Sequence, residues 1–275
     1  MITDNDRVVL PIGLEIDGIR YRNVVIDEMT GIDEENLSSR KVRNNGAKAI
    51  TLLLRRCIQS IEGVLEQKRD PLALIDEKYV RNMYVADRDF LIMCIRTISG
   101  DSELLMNMNC PSCGSEIDKL VNLKELDVYE WDENEPVEIT VDLPRGFYNQ
   151  DTQQYNNRVR WAFPKGVAQE RLASLPENEM GTNLIAIGLR SVEGRESIPS
   201  SDEVRRLSVR DRGALADAIV ENMVGVETKI DICCDNCGHE FDSEVNTVGF
   251  SNLGQRKTQK RSNVGTNGRR KRKLR

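Results

Sequence analysis

The chain has 275 residues, 39% hydrophobic and 31% charged, which is room for one large domain or two small ones and polar without being disordered overall. The net charge of −6 conceals two populations: residues 254–275 hold ten basic and no acidic residues, leaving 29 basic against 45 acidic residues, net −16, in the body. An acidic body is a poor general nucleic-acid binder, so attraction to polyanions must sit in that segment. No apolar run approaches the roughly 20 residues that span a bilayer, and the N-terminus lacks both a charged n-region and an apolar h-region, so a soluble protein folding in a cytoplasm, with no membrane partner, is expected.

Catalytic vocabulary is sparse. His239 is the single histidine, which excludes HExxH hydrolases and any two-histidine mechanism, and there is no GxxxxGK[ST] loop, no GxSxG elbow and no GxGxxG after a strand. Binding or assembly therefore leads over catalysis.

In chain order, Ile16-Asp17-Gly18-Ile19 between alternating segments predicts a β-hairpin with a type I′ turn. A short helix follows near Thr30–Glu35, then apolar helices over 47–61 and 86–99. Cys57 and Cys94 fall in these helical patterns and read as core residues. Strand-like Leu104–Met108 and Ile117–Leu123 bracket Cys110-Pro111-Ser112-Cys113-Gly114. Two cysteines across a tight turn can aim at one ion, and a trailing glycine can take the positive φ that turns backbone amides toward the sulfurs. A redox dithiol would instead need its CxxC at a helix start, where the dipole lowers the thiol pKa; the β-like flanks favour a metal knuckle.

The second half repeats the order. Val137–Leu143 and Val159–Phe163 read as strands joined by a longer polar loop, helices follow over 181–190 and 209–224, and Ser208-Val209-Arg210-Asp211 reads as a capping box. Then Cys234-Asp235-Asn236-Cys237-Gly238-His239 lies between Thr228–Ile232 and Phe241–Val248. The two CxxC pairs are 124 residues apart, and at that offset seven of the seventeen positions 106–122 are identical in 230–246, Asn122/Asn246 among them. The offset also matches Val80-Arg81 to Val204-Arg205 and Asp87-Arg88 to Asp211-Arg212. With small changes of offset, Leu10-Pro11-Ile12-Gly13 parallels Leu143-Pro144-Arg145-Gly146, and Thr30–Glu35 loosely parallels Lys165–Glu170.

The expected fold is α+β: two pseudo-repeats, each a β-hairpin, helices and a strand–CxxC knuckle–strand, joined by a shared zinc-ribbon-like four-cysteine site. The expected domains are 1–130, 131–253 and a disordered basic tail, 254–275. Each copy brings two thiolates, half of a tetrahedral site, so Cys110, Cys113, Cys234 and Cys237 are expected to share one structural Zn²⁺. Seven cysteines, an odd count, argue against a disulfide framework. Cys233 and His239 remain alternative ligands. The tail, dense in Lys and Arg without aromatics, suits phosphates or carboxylates and reads as a contact for a polyanion or an acidic protein.

The strand pair followed by Glu28-Met29-Thr30-Gly31-Ile32-Asp33-Glu34-Glu35 and a helix resembles the start of tail assembly chaperones of contractile phages, and Asp87-Arg88-Asp89-Phe90-Leu91 through Cys110-Pro111-Ser112-Cys113-Gly114 is similar to the T4-type baseplate hub subunit family. Together these stretches cover about residues 5–125, and the second half resembles a diverged copy. The resemblance implies a non-enzymatic phage tail or baseplate hub component that works through protein–protein contacts in assembly, with other hub proteins or the tape measure protein as partners, in the host cytoplasm during assembly and then in the virion baseplate. It carries over no catalytic residues. Rival readings are a zinc-ribbon nucleic-acid-binding protein that uses the basic tail, and a thiol-disulfide or zinc enzyme. Acidic flanks at Glu116, Asp118, Asp231 and Asp242 oppose the first, and a closed four-thiolate site opposes the zinc hydrolase.

Overall fold

The computed structural model describes residues 6–38 and 45–245; the basic segment 254–275, Asn246 and the end of the expected last strand lie outside them. The described residues form eight helices and five small sheets, a mixed α+β architecture. None of these helices is long and apolar enough to cross a membrane.

The chain opens with β1 (Arg7–Ile16) and β2 (Ile19–Ile26), antiparallel and joined by Asp17 and Gly18 at φ 51° and 78°. Both turn residues have the positive φ that a type I′ turn demands. Helix α1 (Gly31–Ser38) and helix α2 (Gly46–Cys57) follow, the second capped by the Asn45 side chain, which accepts from the Lys48 N–H. The expected helix over 47–61 ends early. Ile58 turns extended, and β3 (Ile58–Ile61) pairs with β2 to complete a three-stranded sheet. The apolar run satisfies either period, and the open edge of β2 satisfies backbone groups that a longer helix would have left facing it.

Helices α3 (Glu77–Asn82) and α4 (Val85–Ile98) come next, then the hairpin of β4 (Glu103–Asn109) and β5 (Glu116–Asn122), then β6 (Val128–Tyr129). The second half presents β7 (Glu138–Asn149), β8 (Gln154–Ala162), α5 (Gly166–Leu172), α6 (Glu177–Gly188), β9 (Leu189–Val192), α7 (Ser201–Arg205), α8 (Val209–Glu221), β10 (Gly225–Val226), and the hairpin of β11 (Lys229–Cys233) and β12 (Glu240–Glu244). Strands β7, β8 and β9 form a second three-stranded sheet in sequential order, like β1, β2 and β3. The expected helix 181–190 again starts earlier and gives its end to a strand, and the expected long loop between β7 and β8 shrinks to residues 150–153 because both strands continue past a bulge. The capping box at Ser208 and Asp211 is present, and Ser200 with Glu203 forms a second.

The bulges explain the Asp-Arg dipeptides. In β1 the register jumps from Val9↔Asn23 to Leu14↔Tyr21, and in β7 from Asp142↔Arg158 to Phe147↔Asn156. The looped-out residues are the Leu-Pro-x-Gly segments, with Gly13 at φ 109° and Gly146 at φ 87°. Amides freed from the ladder need another acceptor. Asp87, in the first turn of α4, accepts from the N–H groups of Ile12 (2.8 Å) and Gly13 (2.9 Å). Asp211, in the first turn of α8, accepts from those of Arg145 (2.7 Å) and Gly146 (3.2 Å). Each aspartate therefore locks a helix onto a sheet.

Two apolar cores interlock. The first gathers Leu10, Leu53, Leu54, Phe90 and Leu91 and takes in Val226 and Val245 from the second half; the other gathers Trp161, Leu189 and Leu215 and takes in Ile12 and Tyr84 from the first. Strands β6 and β10 pair across the halves, and Val85 N–H donates to the Pro164 carbonyl. At the centre Arg88 is fully buried. Its Nε donates to Gln169 Oε1, its Nη1 to the Val80 carbonyl, and its Nη2 to the Ala47 carbonyl and Thr51 Oγ1, all at 2.9–3.0 Å. Burial lowers Arg88 to about 10, so it stays charged at neutral pH.

Burial pushes the carboxyl of Asp87 up to about 7 against the pull of its two N–H donors, and that of Asp89 up to about 6. The folded chain holds these protons where the unfolded chain has released them, so their contribution is full below the ordinary carboxylate range and is lost as pH rises through 6–7. Denaturation midpoints should therefore fall between pH 5 and 8 by more in the wild type than in Asp87→Asn, other titrations cancelling in the comparison; equal slopes would refute the assignment. Asp87→Ala, which strands two buried amides, should cost about 2–5 kcal/mol in chemical denaturation.

Candidate metal centre

Two hairpins carry the site. In the first, Cys110 N–H donates to the Ser115 carbonyl and Gly114 N–H to the Cys110 carbonyl, each at 2.9 Å; in the second, Cys234 N–H donates to the His239 carbonyl (2.9 Å) and Gly238 N–H to the Cys234 carbonyl (2.8 Å). Gly114 and Gly238 close these turns at φ 72° and 70°, a conformation that favours glycine. Each knuckle is thus a local consequence of its own six residues. Their meeting is not, since they are 124 residues apart.

The sulfurs of Cys110, Cys113, Cys234 and Cys237 all lie within 4.8 Å of one another. Across the hairpins, Cys110 Sγ lies 3.7 Å from Cys237 Sγ and Cys113 Sγ 3.7 Å from Cys234 Sγ. A disulfide needs about 2.05 Å, whereas a tetrahedron with metal–sulfur bonds of about 2.3 Å has edges of about 3.8 Å. The spacing fits the second arrangement, and four cysteines so placed could hold a metal ion. Cys110 and Cys234 are buried; Cys113 and Cys237 sit at the surface.

The surroundings favour negative sulfur. The Ser115 hydroxyl lies 3.0 Å from Cys113 Sγ and 3.3 Å from Cys234 Sγ, and Asn236 Nδ2 approaches Cys113 Sγ from the other hairpin at 3.6 Å. Ser115, its backbone N–H and the Asn236 amide hold Cys113 down at about 5, and Ser115 with the amides of Cys237 and Asn236 lowers Cys234 against desolvation. The His239 N–H pulls Cys237 down too, but the neighbouring cysteines and desolvation outweigh it and push this thiol up to about 12. Four thiols in one small volume cannot all ionise on their own; a cation resolves the conflict.

All four expected ligand residues are brought together. Cys233 is exposed on β11 opposite Glu240, outside the cluster. His239 serves its knuckle through its backbone, while its ring stacks on Phe241 with centroids 6.0 Å apart. Cys57 and Cys94 are buried in the first core and burial pushes both up to about 12, so they are inert thiols. The contacts of Ser115 with Cys234 and of Asn236 with Cys113 cross between the hairpins, so no local pattern signals them. Elsewhere, an open cleft of about 980 Å³ runs past Arg145, Tyr155, Arg195 and Glu203. It contains no cysteine or histidine, and Arg195 Nη2 pairs with Glu203 at 2.7 Å.

The family model described as T4 bacteriophage base plate protein matches residues 14–253 of the chain. No curated protein and no solved structure gives a significant match.

Titration of the reduced chain with Co²⁺, read by thiolate-to-metal absorption, should show uptake that Cys110→Ser or Cys234→Ser abolishes and Cys233→Ser leaves intact. Ser115→Ala should weaken uptake by about 10–100-fold, as removal of a group bonded to metal ligands does. Loss of uptake in Cys233→Ser would mean that the ligand set is wrong.

Proposed function

Since the chain belongs to the T4 bacteriophage base plate protein family, we propose that it is a non-enzymatic base plate component of the hub and tail-assembly type, held in shape by one zinc ion bound to Cys110, Cys113, Cys234 and Cys237. The observation that carries the zinc reading is the convergence of two CxxC turns, 124 residues apart, into one cluster of sulfurs. Zinc fits the donor set: thiolate ligands are soft, the geometry is tetrahedral, and no coordination position is left for a substrate or water. Such an ion contributes ~10–16 kcal/mol of apparent binding free energy in peptides at neutral pH, against a typical net stability of about 5–15 kcal/mol.

The halves, 1–130 and 131–253, are in this reading copies of one unit. The matching bulges, the paired roles of Asp87 and Asp211, and the twin knuckles support it. The partners are other base plate hub proteins and the tape measure protein, met in the host cytoplasm during assembly and kept in the virion tail. The basic tail is proposed as a further contact for an acidic protein or a polyanion. Nucleic acid is a weaker fit to the body, because the metal hairpins expose Asp118, Asp231 and Asp242.

The test is genetic. Phage carrying Cys110→Ser or Cys234→Ser should accumulate unfinished base plates, while Cys233→Ser phage should form normal particles. Normal base plates built with a metal-free chain would overturn the staple.

A further inference from the structure

The contact around Arg88 joins the two halves asymmetrically. Helix α5 of the second half docks on α2 and α4 of the first: Gly166 packs on Arg88 so tightly that a Cβ there would collide with its guanidinium, Gln169 accepts from Arg88, and Glu170 accepts from Thr51 at 2.5 Å and pairs with Arg81 at 3.1 Å. Every member of this contact has a counterpart in the other half, but the counterparts on the inserting helix do not meet those on the receiving side.

The receiving side recurs in the second half. Thr182 stands on α6 where Thr51 stands on α2, Arg205 and Arg212 match Arg81 and Arg88, and Arg212 Nη1 donates to Thr182 Oγ1 at 3.0 Å as Arg88 does to Thr51. Here, however, no helix lies over the arginine among the described residues. Arg205 is 52% exposed, with only long bridges to Glu179 (3.8 Å) and Asp202 (3.7 Å), and Met180 is 40% exposed where its counterpart Ala49 is 7%.

The inserting side recurs in the first half. Helix α1 starts Gly31-Ile32-Asp33-Glu34-Glu35 where α5 starts Gly166-Val167-Ala168-Gln169-Glu170. Gly166 and Glu170 are buried; Gly31, Glu34 and Glu35 are exposed, and a Cβ at Gly31 would meet nothing. The two differences compensate. Gln169 bonds both Arg88 and Asp89, whereas Asp89 is replaced by Gly213 in the second half. A glutamate at the position of Gln169, which is Glu34, would be repelled by an aspartate but not by Gly213.

We infer that a second copy of this chain docks head to tail, with α1 of one copy seated on α6, α7 and α8 of the next through Glu34 and Glu35 against Arg212 and Arg205. The interface is heterologous, so it propagates into a ring or a longer array rather than closing on two copies face to face. The inference rests on reading the halves as copies of one unit.

Sedimentation of the full, metal-loaded chain over a range of concentrations tests it. The mean mass should climb with concentration, and Gly31→Leu, harmless to the lone chain but obstructive against Arg212, should abolish the climb. Arg205→Glu should abolish it separately. Mixing the two variants should restore a 1:1 pair and nothing larger, because only one intact α1 and one intact receiving face remain. A strict monomer, association that survives both substitutions, or a mixture that forms no pair overturns the docking. Metal content read on the same samples reports the zinc staple independently, so either reading can fail while the other stands.

Discussion

A CxxC turn presents two sulfurs to one side of a β-hairpin, and two sulfurs are half of a tetrahedron. The hairpins β4–β5 and β11–β12 each solve their local backbone problem, with twin hydrogen bonds and a left-handed glycine, and the amides they turn toward sulfur favour the ionised form of Cys113 and Cys234. Thiolate charge gathered within 4.8 Å then calls for a cation. Under the proposed zinc staple, the path of the chain between the hairpins is constrained to return its ends to one point. The interlocked cores and the β6–β10 pair are how the apolar and backbone groups accommodate that return. Each apolar core includes residues from both halves.

Away from the cysteines the chain spends its buried polar groups on architecture. Asp87 and Asp211 satisfy amides that the bulges release, and Arg88, on α4, ties α2, α3 and α5 together through four hydrogen bonds. These groups are fully engaged, and buried polar networks of this kind specify a unique packing rather than perform chemistry. That suits a member of the T4 bacteriophage base plate protein family, which implies contacts with other phage structural proteins. Under the proposed docking, recognition falls to the exposed glutamates of α1 and the arginines of α7 and α8.

Much of this was legible in the residues. The knuckles were, because Cys, turn residue and Gly act within six positions, and the type I′ hairpin was, because Asp17 and Gly18 are the residues that tolerate its φ values. Strands β3 and β9 were not. Ile58–Ile61 and Leu189–Val192 continue the apolar run of the preceding helix, and only the open edges of β2 and β8 decide for strand. The Asp-Arg pairs stood out as matching dipeptides, but their partners, the amides of Leu-Pro-x-Gly some 65 to 75 residues earlier, depend on register jumps that no local pattern announces. Ser115 and Asn236 were invisible for the same reason: each bonds a sulfur of the opposite hairpin.

The central claim is that one ion joins both hairpins of a single chain. X-ray absorption at the zinc edge, combined with metal-to-chain stoichiometry on the monomer, tests it most directly. The account predicts one zinc per chain with a shell of four sulfurs near 2.3 Å and no nitrogen or oxygen scatterer. Two sulfurs with lighter ligands, two ions per chain, or one ion shared between two chains would contradict it.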